Sequence, residues 1–171
     1  GIARTGTLFA YEQYGVEPDV MTLAKGLASG IPIGAVLAKE KAAVFTPGQH
    51  GSTYGGNPLV CAAAYAAIKF TIDNDIAANA KQMGQYFMDG LRKLQGKYPF
   101  IKEVRGRGLL VAIEFNAEIS KQVLKACLER GLLVNKVKPN AIRFMPPLII
   151  GKKEVDQALD ILDKALAEVG K

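Results

Sequence analysis

Tryptophan is absent from the 171-residue chain, and histidine occurs once, as His50. Cysteine occurs twice, at Cys61 and Cys127, far apart and outside any CxxC pair. A zinc centre of the usual Cys/His kind therefore has no ligand set, and no residue is assigned to a metal. Both cysteines sit among Ala, Leu and Val at helical spacing, which predicts two buried free thiols in a reducing compartment. No apolar run reaches the ~20 residues that a membrane-spanning helix needs, and no secretory leader is expected. The expectation is a soluble, cytoplasmic protein without a membrane partner. Charge is not massed either. Lys and Arg exceed Asp and Glu by 22 to 16, a net +6, but no basic block reaches five residues. The stretch Lys97 to Gly108 mixes basic and aromatic residues and is only a faint likeness of a single-strand-binding surface. Nucleic acid is not an expected partner. There is no initiator methionine, and Gly1-Ile-Ala-Arg4-Thr-Gly6-Thr reads as a loop in mid-course. The chain is expected to be a piece of a longer protein.

What is present is enough apolar residue, 49%, to bury a core. The chain is organised around Lys25. Val20, Met21, Leu23 and Ala24 read as a short buried strand, and Gly26, Gly30, Pro32 and Gly34 break regular structure after it. A cation at the end of a buried strand is costly without a function. A lysine partly withdrawn from water is suited to a Schiff base with a carbonyl. The plainer reading is a surface lysine in a strand-to-loop connection.

Around it, Leu8 to Gly15 has helical spacing with a Gly stop, and Ala35 to Ala38 reads as a second strand. Thr46 to Pro58 is a long loop of Gly and hydroxyls, a composition typical of functional loops. Asn57 and Pro58 are a cap and first position for a helix to about Ile72, whose small residues predict tight packing. Residues 76–171 then read as helix (Ile76 to Gln95), strand (Leu109 to Phe115), helix (Ser120 to Arg130), two strands (Leu132 to Val134 and Ala141 to Met145) and helix (Lys153 to Val169). This divides the chain at 75/76, with a small α+β unit in the second part.

Three features carry chemistry. Lys25 is the first. The second is the loop before the helix start, where backbone N–H groups and the hydroxyls of Ser52 and Thr53 suit a phosphate. The third is Arg143, a guanidinium among Ile142, Phe144 and Met145, whose planar fork matches a carboxylate. Singly, these read as an ordinary loop and an outward-facing strand arginine. Together they describe a pyridoxal phosphate enzyme acting on amino acids.

Several strings carry a resemblance: Gly1-Ile-Ala-Arg-Thr-Gly-Thr-Leu-Phe-Ala-Tyr11, Gly15-Val-Glu-Pro-Asp-Val-Met-Thr-Leu-Ala-Lys25-Gly and Gly51-Ser-Thr-Tyr-Gly-Gly-Asn-Pro58. With Arg105-Gly-Arg-Gly-Leu-Leu and Ile142-Arg-Phe-Met-Pro-Pro147, the chain resembles the class III (subgroup II) pyridoxal-phosphate-dependent aminotransferases along its whole length. The resemblance implies an α/β chain of the type I fold of these enzymes. Residues 1–75 would be the C-terminal part of the large cofactor domain, and residues 76–171 the small C-terminal α+β domain. It implies that Lys25 holds pyridoxal 5'-phosphate as a Schiff base and that Thr53 reaches the cofactor phosphate of the neighbouring subunit. Ser52 would lie against substrate, and Arg143 would bind its α-carboxylate. The implied partners are amino-acid and 2-oxo-acid substrates and a second copy of the chain, in a homodimer with shared sites. The family's Asp for the pyridinium nitrogen, and its upstream phosphate loop, ring-stacking aromatic and substrate Arg, fall outside this sequence. The isolated chain is therefore expected to be inactive or nearly so. A non-catalytic dimerisation or interaction module is the alternative.

Overall fold

The computed structural model of the chain describes residues 1–170. In chain order its elements are strands β1 (Val20–Leu23) and β2 (Ala35–Ala38), then helices α1 (Pro58–Asp73) and α2 (Ile76–Lys97). Strands β3 (Ile101–Arg107) and β4 (Leu110–Phe115), helix α3 (Ser120–Glu129), strands β5 (Asn135–Lys138) and β6 (Ala141–Phe144), and helix α4 (Lys152–Val169) follow. β1 and β2 form an antiparallel pair, and the other four strands form an antiparallel sheet in the order β3-β4-β6-β5. No described helix is long and apolar enough to cross a membrane.

The main core follows from a period of two on the strands and near 3.6 on the helices. In β4, Val111, Ile113 and Phe115 are buried while Ala112 and Glu114 face the other way; in β6, Ile142 and Phe144 are buried beside them. α2 contributes Phe87, Met88 and Leu91, α3 contributes Val123, Ala126 and Cys127, and α4 contributes Val155, Leu162 and Leu166. Full burial of each of these large side chains stabilises the fold by roughly 1.5–3 kcal/mol. A smaller cluster joins Ile2, Ala3, Leu27 and Ile76, with Ala64 and Ile68 of α1 against it. A third, of Ala80, Met83 and Leu109, lies along α2.

Several expectations change. Ile101–Arg107 is an additional strand and turns into β4 at Gly108 and Leu109. The strand expected at Leu132 to Val134 begins instead at Asn135, because the two leucines fold back from the end of α3, with Leu132 N–H bonded to Cys127 O at 2.9 Å. The expected helix at Leu8 to Gly15 is only a 3-10 turn, Ala10–Gln13. α1 starts as expected, with Asn57 accepting from Val60 N–H at 3.2 Å and Pro58 in the first turn. It packs against the turn at Lys25–Ala28, with Ala64 and Ile68 on the cluster around Leu27, but most of its surface is uncovered. No α1 residue is buried, and Leu59 and Tyr65 are 75% and 71% exposed. Cys61, on that helix, is exposed rather than buried, whereas Cys127 is buried.

Two glycines of α2 have opposite meanings. A Cβ on Gly84 would lie 2.1 Å from the Gly108 carbonyl oxygen, so helix and turn touch through backbone. A Cβ on Gly96 would meet nothing within 4 Å. Gly84→Ala is expected to destabilise by about 1–3 kcal/mol or more through overpacking. Gly96→Ala is expected to stabilise by up to about 1 kcal/mol, as helix propensity dictates. Urea unfolding of both variants checks the pair. Burial also pushes the Cys127 thiol from 9.0 up to about 11, against the opposing charge of Arg130. The folded chain keeps this proton longer than the unfolded chain, so its contribution is complete below pH 9.0 and is lost as pH rises towards about 11. Unfolding curves across that window should fall less steeply for Cys127→Ala.

Candidate active site

Lys25 follows Ala24, the extended residue at the end of β1, and opens a 3-10 turn, Lys25–Ala28. Leu27 and Ala28 anchor that turn in buried positions, while Lys25 itself is exposed. The expected partial withdrawal from water is therefore not found. β1 alternates between exposed and half-buried residues rather than being wholly covered. What marks Lys25 instead is its backbone: φ is 52°, in the left-handed region that costs a non-glycine residue about 1–3 kcal/mol. Neighbouring lysines are paired, Lys39 with Glu17 and Lys41 with Asp19. Lys25 has no such partner among the described residues.

The Ser52–Asn57 loop is held by its own hydrogen bonds. Ser52 Oγ accepts from Gly55 N–H at 3.0 Å, and Asn57 Nδ2 donates to Tyr54 O at 3.0 Å. Ser52 keeps its hydroxyl hydrogen to donate, and Thr53 is exposed at the loop tip.

Arg143 sits in β6 on the face of the sheet opposite the core. Its row across the sheet runs Arg105, Ala112, Arg143, Asn135. Arg105 is committed, to Glu103 at 2.5 Å and Glu114 at 2.8 Å. Lys102 first, then Arg105, holds the Glu114 carboxyl below its ordinary value. Arg143 Nε is buried and has no hydrogen-bond partner among the described residues. Thr5, Tyr14, Arg105, Arg107, Ala112 and Arg143 line a shallow cavity of about 420 Å³ over this face. Arg107 lies 4.9 Å from the Tyr14 ring centroid and donates to Gln13 Oε1 at 2.9 Å.

The opening segment ties these places together. Ile2 and Ala3 pack against Leu27 below the lysine turn. Arg4 donates through Nη1 to Leu109 O at 3.2 Å and to Pro146 O, and Arg4 O accepts from Leu109 N–H at 2.9 Å. Thr5 and Tyr14 then reach the Arg143 cavity. The structural roles of Arg4, Tyr14 and Arg107 are not visible as periodicity; Arg4 and Arg107 are signalled only by their place in Arg4-Thr-Gly6 and Arg105-Gly-Arg107-Gly, and Tyr14 by neither. The four expected site residues do not share one cavity in this chain: neither cavity lined by Arg143 contains Lys25, Ser52 or Thr53.

A family model described as aminotransferase class-III matches residues 1–166. An acetylornithine aminotransferase of Caldanaerobacter subterraneus is 51% identical over 169 residues, covering 99% of this chain and 43% of its own length. One from Methanocaldococcus jannaschii is 44% identical, covering 100% of this chain and 43% of its own. The chain thus spans about two fifths of the length of the curated relatives it matches. Among solved structures, an acetylornithine aminotransferase from Elizabethkingia anophelis superposes with a TM-score of 0.92 at 41% identity, covering 98% of this chain and 45% of its own. An ornithine aminotransferase from Toxoplasma gondii, whose active site holds PLP at partial occupancy, gives a TM-score of 0.93 at 40% identity, covering 99% and 41%. With its fold and nearly its whole length matched in this way, the chain belongs to the class III aminotransferases.

Proposed function

We propose that this chain is the lysine- and arginine-bearing part of a pyridoxal-phosphate-dependent aminotransferase. In this reading the enzyme moves the δ-amine of N2-acetylornithine to 2-oxoglutarate, a step of arginine biosynthesis, and works as a cytoplasmic homodimer with shared sites. The observation that carries it is Lys25: an exposed primary amine with no ion-pair partner among the described residues, on a left-handed backbone directly after a strand. The donor chemistry fits the cofactor. Lys25 supplies the amine for its carbonyl. The hydroxyls of Ser52 and Thr53 supply donors for phosphate and substrate, with Thr53 serving the neighbouring subunit. Arg143 Nε is a buried donor without a partner, as a carboxylate clamp requires.

When bound, pyridoxal phosphate supplies an electron sink for the bond-breaking step. The residues of this chain would supply part of the site. Lys25 would hold the cofactor through its amine and, with that amine free, would move a proton at the amino-bearing carbon of the substrate. Arg143 grips the substrate carboxylate and fixes which bond is aligned for cleavage. Residues 1–75 would belong to the large domain and 76–171 to the small one. Ornithine is the second donor to consider, because ornithine aminotransferases are about as similar in structure as the acetylornithine enzymes. Comparing acetylornithine, ornithine, succinylornithine and 4-aminobutyrate as donors to the full protein separates the choices.

Mixing the chain with pyridoxal phosphate, reducing with borohydride and sequencing peptides by mass spectrometry should place a pyridoxyl phosphate group on Lys25. Lys25→Ala should lose it. Labelling spread evenly over the surface lysines would favour a non-catalytic module instead. The isolated chain should show no turnover above background, and measurable transamination by it would sink the claim that it is inactive alone. In the full protein, Arg143→Met should raise KM for the 2-oxo acid by about tenfold or more, the usual effect of removing a charged hydrogen bond.

A further inference from the structure

The carboxylate clamp has one open flank, and a single side chain occupies it. Asn135 of β5 is directly opposite Arg143 of β6 in the antiparallel register. Directly opposed residues project from the same face with Cβ atoms about 4.5–5.5 Å apart. On the other flank stands Ala112, which has no hydrogen-bonding side chain, and beyond it Arg105 is committed to Glu103 and Glu114. Asn135 and Arg143 also both contribute to a second cavity of about 600 Å³ that reaches the core residues Phe87, Phe144 and Val155 and is otherwise apolar apart from Glu154; the cavity over the outer face includes Arg143 but not Asn135. Glu154 is engaged elsewhere: its carboxylate accepts the Gly151 N–H at 2.9 Å at the start of α4. Other asparagines near the sheet are committed as well, Asn116 to Pro99 O and Asn140 to Phe115 O. The Asn135 side chain is exposed and uncommitted among the described residues.

We propose that Asn135 is a positioning residue for the acid held at Arg143: its carboxamide oxygen accepts from the guanidinium on the β5 side and fixes the plane of the fork. The Nε–H and the remaining Nη–H are then presented side by side to one carboxylate. A guanidinium held by a neutral acceptor keeps its full charge for the ligand, which a carboxylate in the same place would neutralise. This rests on the reading of Arg143 as the carboxylate clamp.

The experiment is steady-state transamination by the full protein with 2-oxoglutarate as acceptor, on Asn135→Leu, Arg143→Met and the double variant, with melting temperatures measured alongside. Asn135→Leu should raise KM for 2-oxoglutarate by about fivefold or more, leave kcat within about twofold and leave the melting temperature unchanged, since Asn135 is exposed on an edge strand. The double variant should be no worse than Arg143→Met alone, because a residue acting through Arg143 has nothing left to act on. Asn135→Asp, which keeps the acceptor but adds a negative charge, should weaken 2-oxoglutarate more than Asn135→Leu does. As a readout without turnover, the Arg143 Nε–H resonance should shift on titration with 2-oxoglutarate, and do so at higher concentration in Asn135→Leu. If Arg143→Met raises KM while Asn135→Leu does not, or the two effects simply add, the Asn135 inference is overturned and the clamp stands. If Arg143→Met leaves KM unchanged, the clamp itself fails.

Discussion

Three pieces of backbone touch one another, and the arrangement of the molecule depends on that contact. Gly84 of α2 meets the Gly108 carbonyl at the β3–β4 turn. Gly108, at φ 51°, lies against the backbone of Arg4, Thr5 and Gly6, and a Cβ there would be 2.6 Å from Arg4 O. Gly6, at φ 95°, backs onto the Cβ of Lys81, which returns the stack to α2. A helix, a turn and the opening segment are thereby locked at distances that side chains would not permit. Arg4 adds directed bonds to the same place through Leu109 and Pro146. The stack is what carries the opening segment from the lysine turn to the arginine face. Moving it would change the relation between the two halves of the candidate site.

The second part of the chain was largely legible because its elements obey simple periods. Met83, Phe87 and Leu91 step along α2, and Val111, Ile113 and Phe115 alternate along β4, so their burial follows from their spacing. β3 was harder to read: Lys102, Glu103, Arg105 and Arg107 make it polar on most positions, and only Ile101 is buried. It is a strand because β4 pairs with it and Glu103, Arg105 and Glu114 pair across it. That pairing is tertiary information which no local pattern contains.

The first part was less legible for a different reason. The lysine strand reads as buried and α1 as closely packed, yet Val20, Leu59 and Phe70 are exposed. Hydrophobic composition predicts that a surface is to be covered, not which chain covers it. Lys25 is not buried as its strand context predicts; it has a left-handed backbone, which Ala3, Ser29 and Asp75 share. Ser52, Thr53 and Arg143 were found through chemistry and order in the sequence. The uncommitted Nε of Arg143 and its opposition to Asn135 required the register of three strands.

Arg143 also has a consequence for how the sheet assembles. It is the one charged residue of β6, between Ile142 and Phe144, whose ring meets Phe87 edge-on at 5.1 Å. A strand slipped by one residue turns every side chain to the opposite face. Such a slip would drive the guanidinium in among Phe87, Leu91 and Leu162 and turn Ile142 and Phe144 out to water. The same charge that faces the candidate ligand thus rejects a misregistered sheet, so this arginine guards the accuracy of folding as well as the position of an acid.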